Sequence, residues 1–210
     1  MQCFIGLTFS EHFLHYKKID MFRKRFDNKY SKSNILQLSL LPPFELKELT
    51  PDIVESIKDE IEGHLLGLET WRDIEFHGID FNCDKKGTVF LRPELPLELQ
   101  YCQQSLWELI LDNGGFFKKK RKPLISTEEV VTKSYLPIGR TKGEEQFEYA
   151  VLTAKEEFDL PFVLKASGIS LFETVPGQWL LKEKLLSFEN EDMSFNEIAC
   201  LNGQIQALHV

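Results

Sequence analysis

Apolar positions along the chain change period several times, and each change marks an element. The opening run CFIGLTF is a strand candidate. Ser10 after it suits the N-cap of a helix carrying Phe13, Tyr16, Ile19, Phe22 and Phe26 at spacings of three and four. The polar stretch DNKYSKSN interrupts that helix. ILQLSLLPPFEL, residues 35–46, then alternates. As a strand it sends Leu36, Leu38 and Leu40 to one face and Ile35, Gln37, Ser39 and Leu41 to the other, and Pro42-Pro43 is expected to end it. Thr50-Pro51-Asp52 is a strong helix start, with proline at the first helical position, and Ile53, Ile57, Ile61 and Leu65 form the buried stripe of the helix that follows.

Two short strands, IEFHGIDFN (74–82) and TVFLRP (88–93), come next, with CDKKG as their turn. A third helix over about Leu97–Leu111 runs into DNGG, a C-terminal stop signal. FFKKKRKP reads as a link to the second half, where KSYLPIGR (133–140) is another short strand and Glu144–Glu157 a helix with Phe147, Ala150, Val151 and Ala154 on one side. The run from Pro161 to Phe188 reads as a hairpin turning at Pro176-Gly177. Helices and hairpins are interspersed, which predicts α+β with mostly antiparallel sheet rather than a doubly wound parallel sheet. There is also a coarse internal echo: each half offers a strand with a short polar motif, a helix, then two strands joined by a turn.

Length adds that 210 residues suit a single domain of two lobes, about 1–117 and 123–210, joined by the basic run Lys118, Lys119, Lys120, Arg121 and Lys122. The four cysteines, Cys3, Cys83, Cys102 and Cys200, are scattered without metal-ligand spacing, so they are expected to be reduced packing residues and no metal is expected. The N-terminus lacks the basic lead of a signal peptide, and no apolar run approaches the length of a membrane span; a cytoplasmic protein without membrane contact is expected. A formal charge of −8 argues against bulk electrostatic coating of nucleic acid but leaves room for a local basic site.

The order of elements, with QLSLLPPF from Gln37 to Phe44 and YLPIGR from Tyr135 to Arg140, resembles the 2H phosphoesterase superfamily, which includes RNA 2′,5′-ligase-like proteins and cyclic phosphodiesterases. FHGIDFN, TVFLRPE and the closing hairpin match in kind, so the resemblance covers nearly the whole chain. It implies a bilobal α+β fold of mostly antiparallel sheets flanked by helices, with two motif strands facing each other across a pseudo-twofold cleft. It also implies chemistry without metal or cofactor. The family motifs, His-x-Thr/Ser and His-x-Thr-x-Gly-Arg, supply a general base and a general acid to a 2′,3′-cyclic phosphate or a 2′,5′ bond, and hydroxyls to the phosphoryl oxygens. Here Gln37 and Tyr135 stand at the histidine positions, Pro137 replaces the second hydroxyl, and Ser39 remains.

Glutamine does not titrate, and a phenol with its ordinary pKa near 10 is a poor base at neutral pH. Of the motif positions Gln37, Ser39, Tyr135 and Pro137, none is therefore assigned a catalytic role. Gln37, Ser39, Tyr135 and Arg140 are the candidate ligand-binding residues, Lys118–Lys122 a candidate phosphate-steering run, and a nucleotide or RNA terminal phosphate the expected partner. The alternatives are an active cyclic phosphodiesterase using a non-histidine or relocated acid and base, and a protein-interaction scaffold. His12, His15, His64, His77 and His209 begin no such motif, and His77, in a strand between the motifs, is the one placed to border the cleft. Trp71, Trp107 and Trp179 read as core, and ENED, residues 189–192, as a surface turn before a segment packed by Phe195 and Ile198.

Overall fold

The alternating runs become strands, and eight of them form one antiparallel sheet in the computed structural model, which describes residues 1–32, 35–82, 87–117, 134–175 and 178–188. In chain order the elements are β1 (Gln2–Phe9), α1 (Leu14–Phe26), β2 (Gln37–Glu45), α2 (Pro51–Leu65), β3 (Asp73–Asn82), β4 (Thr88–Glu94), α3 (Leu97–Asp112), β5 (Phe116–Phe117), β6 (Leu136–Arg140), α4 (Glu144–Glu157), β7 (Phe162–Val175) and β8 (Gln178–Ser187). The strand order is β5-β2-β1-β7-β3-β4-β6, with β8 added on β7. β7 belongs to both parts of the sheet. Its residues Phe162–Lys165 pair with β3, while the stretch from Ala166 onward pairs with β1 and β8. Strands from after the basic run thus lie between strands from before it, and the sheet does not divide at residues 118–122, which lie outside the described residues.

Helices α2 and α3 pack on each other and on β8 and β2, while α1 and α4 cover β6, β4 and β3. The ends of α2 and α3 follow local chemistry. Thr50 Oγ1 accepts the Ile53 N–H at 3.4 Å with Pro51 as the first helical residue. After α3, Gly114 takes φ +73, and the N–H groups of Gly115 and Gly114 return to the carbonyls of Ile110 and Leu111 at 2.8 and 3.0 Å. That pair of bonds is a Schellman stop, which a residue with a Cβ would adopt under strain.

Four local expectations are corrected. Ser10 is not a cap: its N–H donates to Lys165 O at 3.2 Å, prolonging the β1–β7 ladder, and α1 starts only at Leu14 with no side-chain cap on Phe13. Pro42-Pro43 does not end β2. The register passes from Ile5↔Leu41 to Cys3↔Phe44, so one extra residue of β2 is accommodated there, and a bulge is where prolines fit in a strand. Leu41 does not share a face with Gln37 and Ser39 but is fully buried, because a first irregularity between Gly6↔Ser39 and Ile5↔Leu41 inserts Leu40 and flips the alternation. Finally, Phe116-Phe117 is not a link but β5, paired with Glu45 and Phe44, with the Phe117 ring stacked on Trp107 at 3.5 Å.

Both described cysteines are buried and unbridged, and burial pushes Cys3 up to about 11 and Cys102 up to about 12, so both stay protonated thiols at neutral pH. Among the described residues no helix is long and apolar enough to cross a membrane.

Two glycines should respond in opposite directions. A Cβ on Gly168 would meet Leu186 O at 2.2 Å across the β7–β8 ladder, whereas one on Gly63, in the exposed face of α2, has nothing within 4 Å. Urea unfolding is expected to show Gly168→Ala costing about 1–3 kcal/mol and Gly63→Ala gaining about 0.5–1 kcal/mol. A neutral Gly168→Ala would mean that the hairpin backbone yields more readily than this packing implies.

Candidate functional site

The two motif strands are built alike. From Gln37 to Pro42 the side chains run half-buried, buried, half-buried, buried, buried, half-buried, and from Tyr135 to Arg140 they repeat that pattern residue for residue. The cause is the same in each. In β2 the bulge inserts Leu40 opposite the Gly6–Ile5 step; in β6 the pairing jumps from Phe90↔Pro137 to Val89↔Gly139 and inserts Ile138. Each bulge leaves the third motif residue, Ser39 or Pro137, on the cleft side and turns the next two into the core. Pro137 is tolerated because β6 is the outermost strand and the bulge already interrupts its ladder.

β2 and β6 stand far apart in the strand order, yet Ser134 Oγ donates to Ser39 O at 3.4 Å, so the sheet curls until its two motif strands approach without closing. Between them lies a cavity of about 570 Å³. Gln37, Ser39, Tyr135, Pro137 and Arg140 all line it, so the structure brings the motif positions into one cleft. Arg23, Lys29, Phe4, Phe90, Thr174, Gln178 and Trp179 line it as well.

Arg140 is fixed rather than mobile. Its Nη1 donates to Asp27 Oδ2 at 2.9 Å, and Asp27 is the residue after α1, its side chain fully buried. Arg23, one turn earlier, brings Nε to 3.9 Å from the same oxygen, and the Lys29 N–H donates to Oδ1 at 3.0 Å. Backbone contacts reinforce the junction, since Asn28 N–H donates to Arg140 O at 3.0 Å. Gly139 makes the approach possible: a Cβ there would sit 3.3 Å from Phe22 and 3.4 Å from Phe26, the residues that pack α1 on β6. Burial lowers the Arg23 pKa, Asp27 opposes that shift, and Arg140 adds to it; Arg23 Cζ also lies 5.5 Å from the Tyr30 ring centre. Asp27 thus faces two guanidinium groups, Asp20 also acts on Arg23, and Arg23, Arg140 and the exposed Lys29 are the charged side chains among the described residues that line the cleft.

Ser39 is less available than its motif position implies. Its Oγ donates to Leu41 O at 2.6 Å, closing the bulge, so its proton is committed to its own strand while its lone pairs remain open. The Tyr135 ring lies 5.5 Å from Phe90. Among the described residues lining the cavity there is no histidine, carboxylic acid or thiol. His77 does not border the cleft but faces outward on β3, 2.9 Å from Glu94; His64 pairs with Glu60, and His15 stacks on Phe162 at 4.5 Å. His12 lines a different cavity of about 470 Å³. His209, the run Lys118–Lys122 and residues 189–198 lie outside the described residues. No group of three metal-ligating side chains occurs among the described residues.

Trp71 and Trp107 are core, as expected, but Trp179 is a correction: it is half-buried on the cleft wall, because β8 is an edge strand paired only with β7. Sequence reasoning also missed Arg23, Lys29, Phe4 and Phe90. For Arg23 a signal existed, since it follows Ile19 by four residues and so interrupts the apolar stripe of α1, with Asp27 four residues further on.

No protein-family model and no curated protein matches the chain. Among solved structures, its fold is similar to that of a phosphoesterase crystal structure, with a TM-score of 0.48 at 10% identity over 89% of this chain and 97% of that one. It is also similar to Usb1 of Kluyveromyces marxianus, with a TM-score of 0.41 at 13% identity over 86% of this chain and 96% of that one. These are likenesses of chain path, and the chemistry of the cleft follows from its own residues.

Asp27→Ala is expected to cost about 3–5 kcal/mol in urea unfolding, since it removes the buried carboxylate that the buried Arg23 and the half-buried Arg140 both face. Arg140→Gln should cost distinctly less, because Arg23 still faces Asp27 and the Arg140 side chain is 30% exposed. Equal costs for the two variants would show that the carboxylate does not organise both arginines.

Proposed function

We propose that this chain is a 2H phosphoesterase-like protein whose cleft binds the phosphate of a nucleotide or RNA end without efficient catalysis. The observation that carries the reading is the composition of the cleft wall: Arg23, Lys29 and Arg140 supply positive charge, while none of the described lining residues is an imidazole, carboxylic acid or thiol. Charge-assisted hydrogen bonds from guanidinium groups suit a phosphate in a partly dehydrated site. Gln37 offers an amide donor and acceptor, Tyr135 a phenol, and Ser39 an acceptor oxygen toward the same space. General acid and base groups each contribute roughly 10²- to 10⁴-fold to a reaction of this kind. Glutamine at 37 has no group that titrates, and none of the described lining residues is a histidine.

Phosphorus NMR of a 2′,3′-cyclic nucleotide with excess protein tests this directly. The cyclic phosphate line is expected to broaden or shift with no monoester line appearing, and Arg140→Gln is expected to weaken the interaction by about 10-fold or more, the worth of a hydrogen bond to a charged group. A monoester line that disappears in Tyr135→Phe would replace the binding reading with an unconventional catalyst. An unchanged spectrum would remove this ligand class from the cleft.

A further inference from the structure

The cations occupy only part of the cleft. Arg23 and Arg140 come from α1 and β6, while the wall formed by β1, β7 and β8 carries Phe4 and Trp179 beside the polar Thr174 and Gln178. Phe4 lies two residues, about 7 Å of strand, from Gly6 on one face of β1, and Gly6 pairs with Ser39 on the neighbouring strand, so the aromatic wall begins one strand across and two residues along from the motif serine. The phosphate and the base of one nucleotide are joined by a single sugar, so the cations and the rings have to share one cavity, as they do here.

The rings are fixed in place. Phe4 stacks on Phe172 at 4.7 Å with an interplanar angle of 8°, and the Trp179 indole meets Phe4 edge-on at 4.7 Å and 88°. Gly6 makes room for this arrangement: a Cβ there would come to 3.0 Å from Phe4 Cε2 and 3.2 Å from Leu38 O. Phe4 itself is 5% exposed, so it serves as a backing that orients the half-buried indole above it. A large aromatic side chain left half-exposed on a cavity wall, and locked by an edge contact, is preorganised to accept another planar ring.

We propose that the Phe4–Trp179 corner is a stacking platform, so that the cleft selects a phosphorylated ligand bearing a planar base over one bearing only a sugar. This inference rests on the anion-binding reading of the same cleft and adds a requirement that the cations alone would not impose. Stacking of a base on an aromatic side chain is worth about tenfold or more in affinity. Because Trp71 and Trp107 are buried, Trp179 is also the tryptophan whose emission a ligand in the cleft would quench.

The test compares adenosine 5′-monophosphate, ribose 5-phosphate and inorganic phosphate by calorimetry on the full chain, with tryptophan emission followed in parallel. The nucleotide is expected to bind about tenfold or more tighter than ribose 5-phosphate, and to quench emission where ribose 5-phosphate does not. Trp179→Leu should bring the two affinities together by weakening only the nucleotide, and Trp179→Phe should keep most of the difference. Equal affinities in the unmodified protein, or a preference that Trp179→Leu leaves intact, would overturn the platform while leaving the anion site standing. Failure of all three ligands to bind would overturn the anion-binding reading and the platform with it.

Discussion

Everything that faces the cleft from α1 and β6 depends on where the Asp27 carboxylate sits. It is fully buried, receives Arg140 at 2.9 Å and Arg23 at 3.9 Å, and accepts the Lys29 backbone N–H. A guanidinium group taken out of water beside a cavity needs counter-charge, and this carboxylate supplies it to both arginines, with Asp20 acting on Arg23 as well. The carboxylate in turn reaches Arg140 only because α1 packs closely on β6, and that packing uses the space Gly139 leaves beside Phe22 and Phe26. Helix packing, the buried ion pair and the positive wall are therefore one construction. A change in any one of them alters the others.

A second constraint acts on the strands. Each motif strand carries a bulge at the equivalent place, Leu40 in β2 and Ile138 in β6, and each bulge decides which side chains reach the cleft. In β2 the bulge is closed by the Ser39 hydroxyl on Leu41 O; in β6 it coincides with Pro137, which has no N–H to lose. The two devices differ, but both leave positions 37, 39, 135 and 137 facing the same cavity. The geometry of the cleft thus does not depend on which polar side chain stands at the first position of either motif.

Much of this was legible in the chain. The Thr50-Pro51 start, the Gly114-Gly115 stop and the alternation of residues 36–40 are local signals, and the structure realises them locally. The bulges were not legible, because a bulge is a property of two strands in register and the partner of β2 is set by β1 folding back on it. Ser10 was misread for a related reason: its capping preference is real, but a backbone bond to Lys165 on distant β7 held it extended. Trp179 was assigned to the core because no basic residues interleave with it, yet β8 is an edge strand and its first residues border the cavity. Arg23 was the one missed residue whose sequence context could have revealed it, as a charge placed on the buried side of an amphipathic helix.

In the binding reading proposed above, the cleft holds a phosphate without an acid and base pair of the histidine type among its described lining residues. Guanidinium groups that contact a phosphate can stabilise a transition state as well as a bound ligand, so Arg23 and Arg140 do not by themselves decide between binding and turnover. Interactions that are equal in the ground and transition states tighten binding without accelerating chemistry. Acceleration requires groups whose contribution grows as protons move, and the amide of Gln37 has no proton to exchange with a reacting oxygen at neutral pH. Ser39, its own proton held by Leu41 O, is drawn toward the backbone rather than toward a leaving group. What the described residues leave facing the cavity is a set of cations, a phenol and an aromatic corner, the groups that hold a phosphate and a planar ring in the binding reading proposed above.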